Sequence, residues 1–538
     1  MGFKLLTRSE TEFDSIPKRH SDRPAMTYIL HGWETLTRSM NECASLVDVK
    51  IVAPPVLYLP AGLPIPEKVA VLHDICDVQV RSLPRVITQM GDIKPEDLPA
   101  PGLLYLPHPY VVPGGRFNEM YGWDSYFIIL GLIKSGRVEL AKGMVENFLF
   151  EIEHYGAILN ANRTYYLTRS QPPFLTSMIR SIYEDERSFP DAATALAWLN
   201  DAYHLSAKYY ETWIQPSRNA GNTGLTRYCD LDTGPVAELA DDNTYFHDVI
   251  NWLLAHPDED PGYLVRSPIG TSLDSTSPDS ARDPRTGAAR EPASVRGCSL
   301  TADFYLGDRA MRESGFDSSF RFGPFCGSTH HYAPVCLNSL LFRYEREMGD
   351  FAAKLGLPTE AKHWRLSADQ RGCAIQKYLW QEDQGLFLDY DFVTGRKSGY
   401  DYLSAYYPLW AGVATKSQAA LLEKNLFVFE RVGGLSMSST ASGMQWDEPY
   451  GWAPSNWIVA EGLLLYGYRD DACRIAKAFL STIDEHFTND ATVREKYDVV
   501  EKCAEVHVTA GYKDNVIGFG WTNGVYLMMQ ELLAQNLD

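Results

Sequence analysis

The sequence predicts a mostly α-helical fold, and three features carry that prediction. From residue 137 onward, stretch after stretch returns an apolar residue every three or four positions, the spacing of one helix face. Between those stretches no run alternates apolar and polar residues as a half-buried strand would. The loops that separate them carry aromatics and acids, residue types suited to a site set on a rigid scaffold.

In chain order, residues 1 to about 100 show the least helical pattern. The apolar stretch VKIVAPPVLYLPAGLPIPEKVAVL is broken by prolines and reads as edge strands and extended packing segments rather than helices. In residues 111–127, VVPGGRFNEMYGWDSYF, Pro113 fixes φ and Gly114-Gly115 tolerate positive φ, so the chain turns sharply. From Phe117 the spacing suits a helix entering at that turn. Residues 137–155 put Val138, Ala141, Val145, Phe148 and Ile152 on one face and end at Gly156, a helix-stop position. The link LNANRTYYLTRSQPPF, residues 159–174, leads through Pro172-Pro173 into the helix FLTSMIRSIY. Residues 190–214 are again amphipathic, through Leu196, Leu199, Tyr203, Tyr210 and Trp213. From about 215 to 300 Gly, Pro, Ser, Asp and Thr dominate, which reads as a lid or pocket wall too poor in apolar residues to be core. Periodicity resumes over 335–347, 360–379, 416–429 and 456–487, the last as two helices joined near Tyr468, and again from about Trp521.

Composition narrows the function classes. At 538 residues the chain is too long for one small core. Its 49 Lys plus Arg against 69 Asp plus Glu give a net charge of −20, which opposes nucleic acid and anionic membranes and is indifferent to a neutral ligand. The start MGFKLLTRSETEFD has no apolar signal-peptide core, and no run of 18 apolar residues follows, so the expected location is the cytoplasm. Nine cysteines without a C-x-x-C fit thiols in a reducing compartment better than a disulfide framework or a zinc site.

Two stretches have the chemistry of a site. In residues 111–127, Arg116 is a fixed fork of donors, Glu119 and Asp124 accept hydroxyl hydrogen bonds, and Phe117, Trp123 and Tyr126 offer flat faces for the C–H side of a sugar ring. A helix start with structurally paired charges would have the same composition. Residues 445–457, QWDEPYGWAPSNW, again set acids and indoles around Pro and Gly. Together, PGGRFNEMYGWDSY and QWDEPYGWAP resemble the two signatures of the trehalases, glycoside hydrolase family 37. The resemblance covers roughly residues 100–530 and implies an (α/α)₆ toroid. It also implies residues 1–100 as an N-terminal extension packing on the barrel, and 101–538 as a catalytic domain with a lid insertion around 215–300.

The resemblance implies site residues one by one. Arg116, Phe117, Trp123 and Asp124 belong to the first signature, and Trp446 and Asp447 to the second. Asn160, Arg169 and Gln171 lie in a segment that lines the family's glucose site; read without the family, Ser170 and Gln171 are equally local helix caps. Arg290 and Glu291 are the nearest counterpart of a family Arg/Glu pair, though in a different order. RESGFDSSFRF resembles the ESGWD segment of the family's general acid, which makes Gly315 a pocket residue and Asp317 the acid, with Phe316 in place of the usual Trp. An acid among Phe316, Phe320 and Phe322 is expected to be desolvated and to keep its proton at neutral pH; the competing reading is a cap before Ser318-Ser319. VREKYDVVEK is similar to the family's EKYD, whose Glu is the base, here Glu495; Arg494 and Lys496 beside it favour its ionised form, and alone it would read as a solvated charge run.

Two departures stand out. The family's glycine-rich loop after EKYD is replaced by CAEVHVTAGYKDNVIGFGWTNGV, with Tyr512 where a Glu would align, and Cys336 stands where an acid is common. The implied function is inverting hydrolysis of α,α-trehalose by Asp317 and Glu495, by a monomer, without metal or organic cofactor. Hydrolysis of another α-linked glucoside and sugar binding without catalysis are the alternatives.

Overall fold

Two kinds of helix are visible in the chain of this computed structural model, which describes residues 24–47, 55–239, 244–266, 293–510 and 514–535. Some bury residues all round and others bury one stripe, and the difference sorts them into two rings. In chain order the helices are α1 (Pro24–Leu36), α2 (Glu67–Cys76), α3 (Asp124–Lys134), α4 (Val138–His154) and α5 (Leu175–Tyr183). Then follow α6 (Ala192–Trp213), α7 (Thr244–Ala255), α8 (Ala302–Ser314), α9 (Val335–Lys354) and α10 (Pro358–Tyr378). The last are α11 (Tyr407–Ala411), α12 (Lys416–Lys424), α13 (Ala453–Leu465), α14 (Arg469–Asp490) and α15 (Gly520–Ala534).

Helices α3, α5, α9, α11, α13 and α15 form the inner ring, each against the next, with α15 returning to α3. They are buried on most sides: in α13 every residue from Ala453 to Ala460 is buried. The ring closes at a glycine contact, where a Cβ on Gly131 of α3 would lie 2.5 Å from Gly524 Cα of α15, and one on Gly524 would lie 2.0 Å from Phe127 O. No side chain fits there, so these two helices approach backbone to backbone. Helices α4, α6, α10, α12, α14 and α1 make the outer layer; α10 shows its single stripe in Ala361, Trp364, Ala368, Arg371 and Ile375. The architecture is an (α/α)₆ toroid. The outer place of α1 is filled from within the first 100 residues, since it packs on α14 and α15.

Several expectations need correction. The first-signature helix begins at Asp124, not Phe117; Tyr121 instead bridges to Ala161, and residues 117–123 stay irregular over the end of the ring. In the proline-broken N-terminal stretch, Val56–Leu59 is the middle strand of a parallel three-stranded sheet, and α2 starts directly after Pro66, beyond which no proline interrupts the apolar spacing. Leu196 on α6 is exposed, although Leu199, Tyr203, Tyr210 and Trp213 are buried. Within 215–300, α7 buries Tyr245, Phe246, Val249, Ile250 and Leu253 against α8 and a small sheet, so that part has a core of its own. Cys43 and Cys76 form a disulfide with Cα atoms 5.6 Å apart, because the end of α2 packs on the turn Cys43–Ser45, so the expectation of thiols alone fails at this pair.

Candidate active site

The segments that lead into inner helices α3, α5, α13 and α15, together with the exit of α8, converge at one end of the toroid. They enclose a cavity of about 570 Å³ whose wall includes both Asp317 and Glu495.

Asp317 is placed by the way α8 stops. Gly315 ends the helix in the left-handed region at φ 76°, and a Cβ there would stand 2.8 Å from the Trp123 indole, so the turn and the indole fit only with glycine. The next residue, Phe316, is buried edge-on against Trp123 and Trp446, with centroids 5.5 and 5.0 Å away. The Gln445 amide donates to the carbonyl of Asp317, and Trp446 N–H to that of Ser318 at 3.1 Å, tying the second signature to the acid loop. Burial pushes the Asp317 carboxyl up to about 7, against the pull of Arg312 and Arg169, with Glu238 and Asp308 adding to the rise. Among the described residues its Oδ1 has no hydrogen-bond partner. The desolvation owes little to Phe320 and Phe322, which pack elsewhere, on Trp252 and Phe325 and on Tyr332.

Glu495 comes from a loop pinned to the second signature. Tyr450–Trp452 pairs antiparallel with Lys496–Asp498, Trp452 opposite Lys496. Glu495 N–H donates to Val516 O at 3.0 Å, and the Trp521 indole N–H donates to Glu495 O at 3.0 Å. The residue is 7 % exposed, and its carboxylate accepts from Lys496 Nζ at 2.9 Å. Arg494 points elsewhere, binding Asp490 at 2.8 Å and Asn515 O at 3.1 Å.

Of the expected sugar-binding residues, Arg116, Phe117, Trp123, Asp124, Asn160, Arg169, Gln171, Gly315 and Trp446 all reach the cavity wall. Arg169 donates to Asn160 Oδ1 at 2.9 Å and pairs with Glu238, and Gln171 Oε1 accepts from the Trp123 backbone N–H at 3.0 Å, so these groups arrive already oriented. Asp124 is 4 % exposed and its carboxyl is raised well above the usual range, first by burial and further by the facing charges of Glu495 and Asp317, so three carboxyls share this cavity. Asp447 is a correction of place: it lies behind the wall, accepting from Phe320 N–H at 2.8 Å and from the Ser442 hydroxyl, where it braces the acid loop. Glu119 is another, since Arg163 binds it in a buried pair at 2.7 Å. Arg290, Glu291 and Tyr512 lie outside the described residues.

Sequence reasoning missed part of the wall. Trp452 and Trp521 stood in quoted motifs; Trp452 stacks on Trp446 at 3.8 Å and Trp521 meets both edge-on, giving one side a floor of indoles. Arg312 lies five residues before Asp317, where the RESGFD motif offered a signal. Glu238 and Tyr245 come from the region of low apolar content and carried no signal. The departures are absorbed locally. In place of glycines, Val506 and Val508 of the loop after Glu495 pack on the core, and His507 N–H donates to Tyr450 Oη at 2.7 Å. Beside Cys336, Arg321 takes its counter-charge from Asp389 at 2.7 Å.

A family model described as trehalase matches residues 68–248 and 293–534. The chain is 35 % identical to a probable trehalase of Eremothecium gossypii, over 92 % of this chain and 71 % of that protein. It is 34 % identical to the cytosolic neutral trehalase of Saccharomyces cerevisiae, over 92 % and 70 %. Among solved structures, neutral trehalase Nth1 from Saccharomyces cerevisiae superposes with a TM-score of 0.76 at 31 % identity, covering 94 % of this chain and 93 % of that one. A GH63 mannosylglycerate hydrolase from Thermus thermophilus, in complex with glucose, shares the fold at a TM-score of 0.51 and 17 % identity, covering 78 % and 95 %.

Proposed function

Because the chain belongs to the trehalase family, we propose that it hydrolyses α,α-trehalose to two molecules of glucose by a single, inverting displacement. The observation that carries this reading is that a buried carboxyl raised to about 7, Asp317, and a lysine-paired carboxyl, Glu495, face the same cavity.

Asp317 gives its proton to the glycosidic oxygen as the bond from that oxygen to the neighbouring anomeric carbon breaks. Glu495 takes a proton from water, whose oxygen bonds to that carbon from the opposite face. One glucose leaves with its configuration kept and the other with it inverted. The water's proton ends on Glu495, and solvent returns the two carboxyls to their starting states. The side chains of Asn160, Arg169, Gln171, Arg116 and Asp124 offer donors and acceptors to the sugar hydroxyls, and the indoles of Trp123, Trp446, Trp452 and Trp521 offer apolar faces to its C–H bonds. Arg290 and Glu291 keep their place in this reading through the motif alone. The reaction asks for no metal or cofactor.

The division into an extension of residues 1–100 and a catalytic domain of 101–538 belongs to the same proposal, the extension lending α1 to the outer layer of the barrel. So does action as a monomer. The cytosolic relatives support a cytoplasmic location, and among the described residues no helix is long and apolar enough to cross a membrane. A second reading, hydrolysis of another α-linked glucoside, is favoured by the valine-bearing loop after Glu495. Glucose release from a panel of α-linked disaccharides separates the two: preference for trehalose supports the first and preference for any other disaccharide the second.

A further inference from the structure

Outside the catalytic cavity, two imidazoles and one carboxylate converge on a point. His330 Nε2 lies 3.0 Å from Asp303 Oδ1, and His331 Nε2 lies 3.6 Å from the same oxygen. The three ligand atoms all fall within 4.8 Å of one another. Tetrahedral bonds of about 2.0–2.1 Å to zinc place ligand atoms ~3.3 Å apart, and the two distances bracket that spacing. None of the three residues lines the sugar cavity.

The scaffold holds this arrangement from both sides. Thr301 caps α8 by accepting from Phe304 N–H at 3.2 Å, which fixes Asp303 in the first turn. The turn Thr329–His331 is held by Thr329 Oγ1 donating to Cys326 O at 2.7 Å, by Arg227 donating to His330 O at 2.8 Å and by Phe392 N–H donating to His331 O at 3.1 Å. One helical turn along α8, a Cβ on Gly307 would lie 1.8 Å from Gly327 O, so helix and turn are locked in close approach. The ligand atoms are therefore set by backbone already in place. Asp303 is 54 % exposed on its side chain, which leaves the fourth position open to water. His330 Nδ1 has no hydrogen-bond partner among the described residues, so the His330 ring is oriented by its backbone and by Asp303.

We propose that Asp303, His330 and His331 form a site for a divalent metal of the zinc class, two imidazole nitrogens and one carboxylate oxygen, which staples the start of α8 to the turn Thr329–His331. This departs from the expectation of no metal only outside the reaction, in which the staple takes no part.

The test uses the full chain, stripped with chelator and titrated with Co²⁺ and then Zn²⁺. One Co²⁺ per chain, with a visible ligand-field band of nitrogen and oxygen ligation that Zn²⁺ abolishes, is the expected result. Zn²⁺ should also raise the melting temperature of the parent. Asp303→Asn and, at the half-buried position, His331→Ala should each weaken binding at least ~10-fold and lose the thermal shift, while metal-free hydrolysis by both variants stays at the parent level. Binding that is unchanged in both folded variants overturns the site, as does a sulfur-to-metal charge-transfer band or no saturable binding.

Discussion

Lys496 Nζ donates to Glu495 Oε2 at 2.9 Å, and the lysine is wholly buried, with the Trp452 ring centroid 5.0 Å from its nitrogen. Two neighbours in sequence thus make a buried ion pair at the cavity wall, and the lysine is a positioning residue for the proposed base. Removing one partner of a buried pair costs about 3–5 kcal/mol, because the other charge is left uncompensated. In Lys496→Met the carboxylate of Glu495 loses the group that holds it in place. The expected outcome is a lower melting temperature and a fall in kcat with KM little changed, partly restored by Lys496→Arg. Thermal unfolding and steady-state kinetics check this; a melting temperature that falls while kcat stays at the parent level would mean a structural role only.

Asp317→Asn removes the proton donor and leaves the volume of the side chain. The expected loss in kcat is ~10²–10⁴-fold, with KM for trehalose little changed and the circular dichroism of the parent retained. Steady-state kinetics beside a calorimetric binding titration measure both halves of that statement.

Protonation of Asp317 sets a pH limit. The donor must carry its proton, and its carboxyl loses it at about 7, so kcat/KM should fall as pH rises through that value. Stability shifts in a matching sense. The folded carboxyl titrates near 7 and the unfolded one near 3.8, so the site adds no penalty below 3.8 and its full penalty above 7. Melting temperatures should therefore show Asp317→Asn gaining on the parent between pH 5 and pH 8.

Gly315→Ala meets two obstacles at one atom. The residue sits at φ 76°, and the new Cβ would lie 2.8 Å from the Trp123 indole. A loss of ~1–3 kcal/mol is expected from the backbone alone. Displacement of Trp123 should add a fall in kcat/KM, measured beside the unfolding midpoint.

Asp447→Asn tests the corrected role of the second-signature acid. Asp447 holds Phe320 N–H and the Ser442 hydroxyl and has no place on the cavity wall. The variant should lose stability by ~1–3 kcal/mol and affect kcat more than KM through the slackened acid loop, as unfolding midpoints and steady-state kinetics would show.

Much of this site was legible because its residues stand in short motifs. Trp123, Asp124, Asp317 and Trp446 sit among aromatics with Gly or Pro close by, Glu495 stands in the charged run VREKYD, and all five reach the cavity. The periodicity of Val138–His154 and Arg469–Asp490 was equally plain, since an outer helix shows one apolar stripe. Inner helices are harder: α11 is five residues long and buried throughout, and carries no period to detect. Glu238 and Tyr245 meet the cavity through tertiary packing of a region whose composition resembles a loop, and local pattern holds nothing of that. Asp447 and Glu119 show the converse, since motif acids also serve as braces and their direction is set by partners distant in sequence, Phe320 and Arg163.

The central claim is that Asp317 and Glu495 act across one sugar by single displacement. Following the anomers of newly formed glucose by NMR in the first moments of trehalose hydrolysis tests it most directly. Equal initial amounts of α- and β-glucose, with neither formed by Asp317→Ala or Glu495→Ala, are what single displacement predicts; α-glucose alone, or undiminished release by either variant, would contradict it.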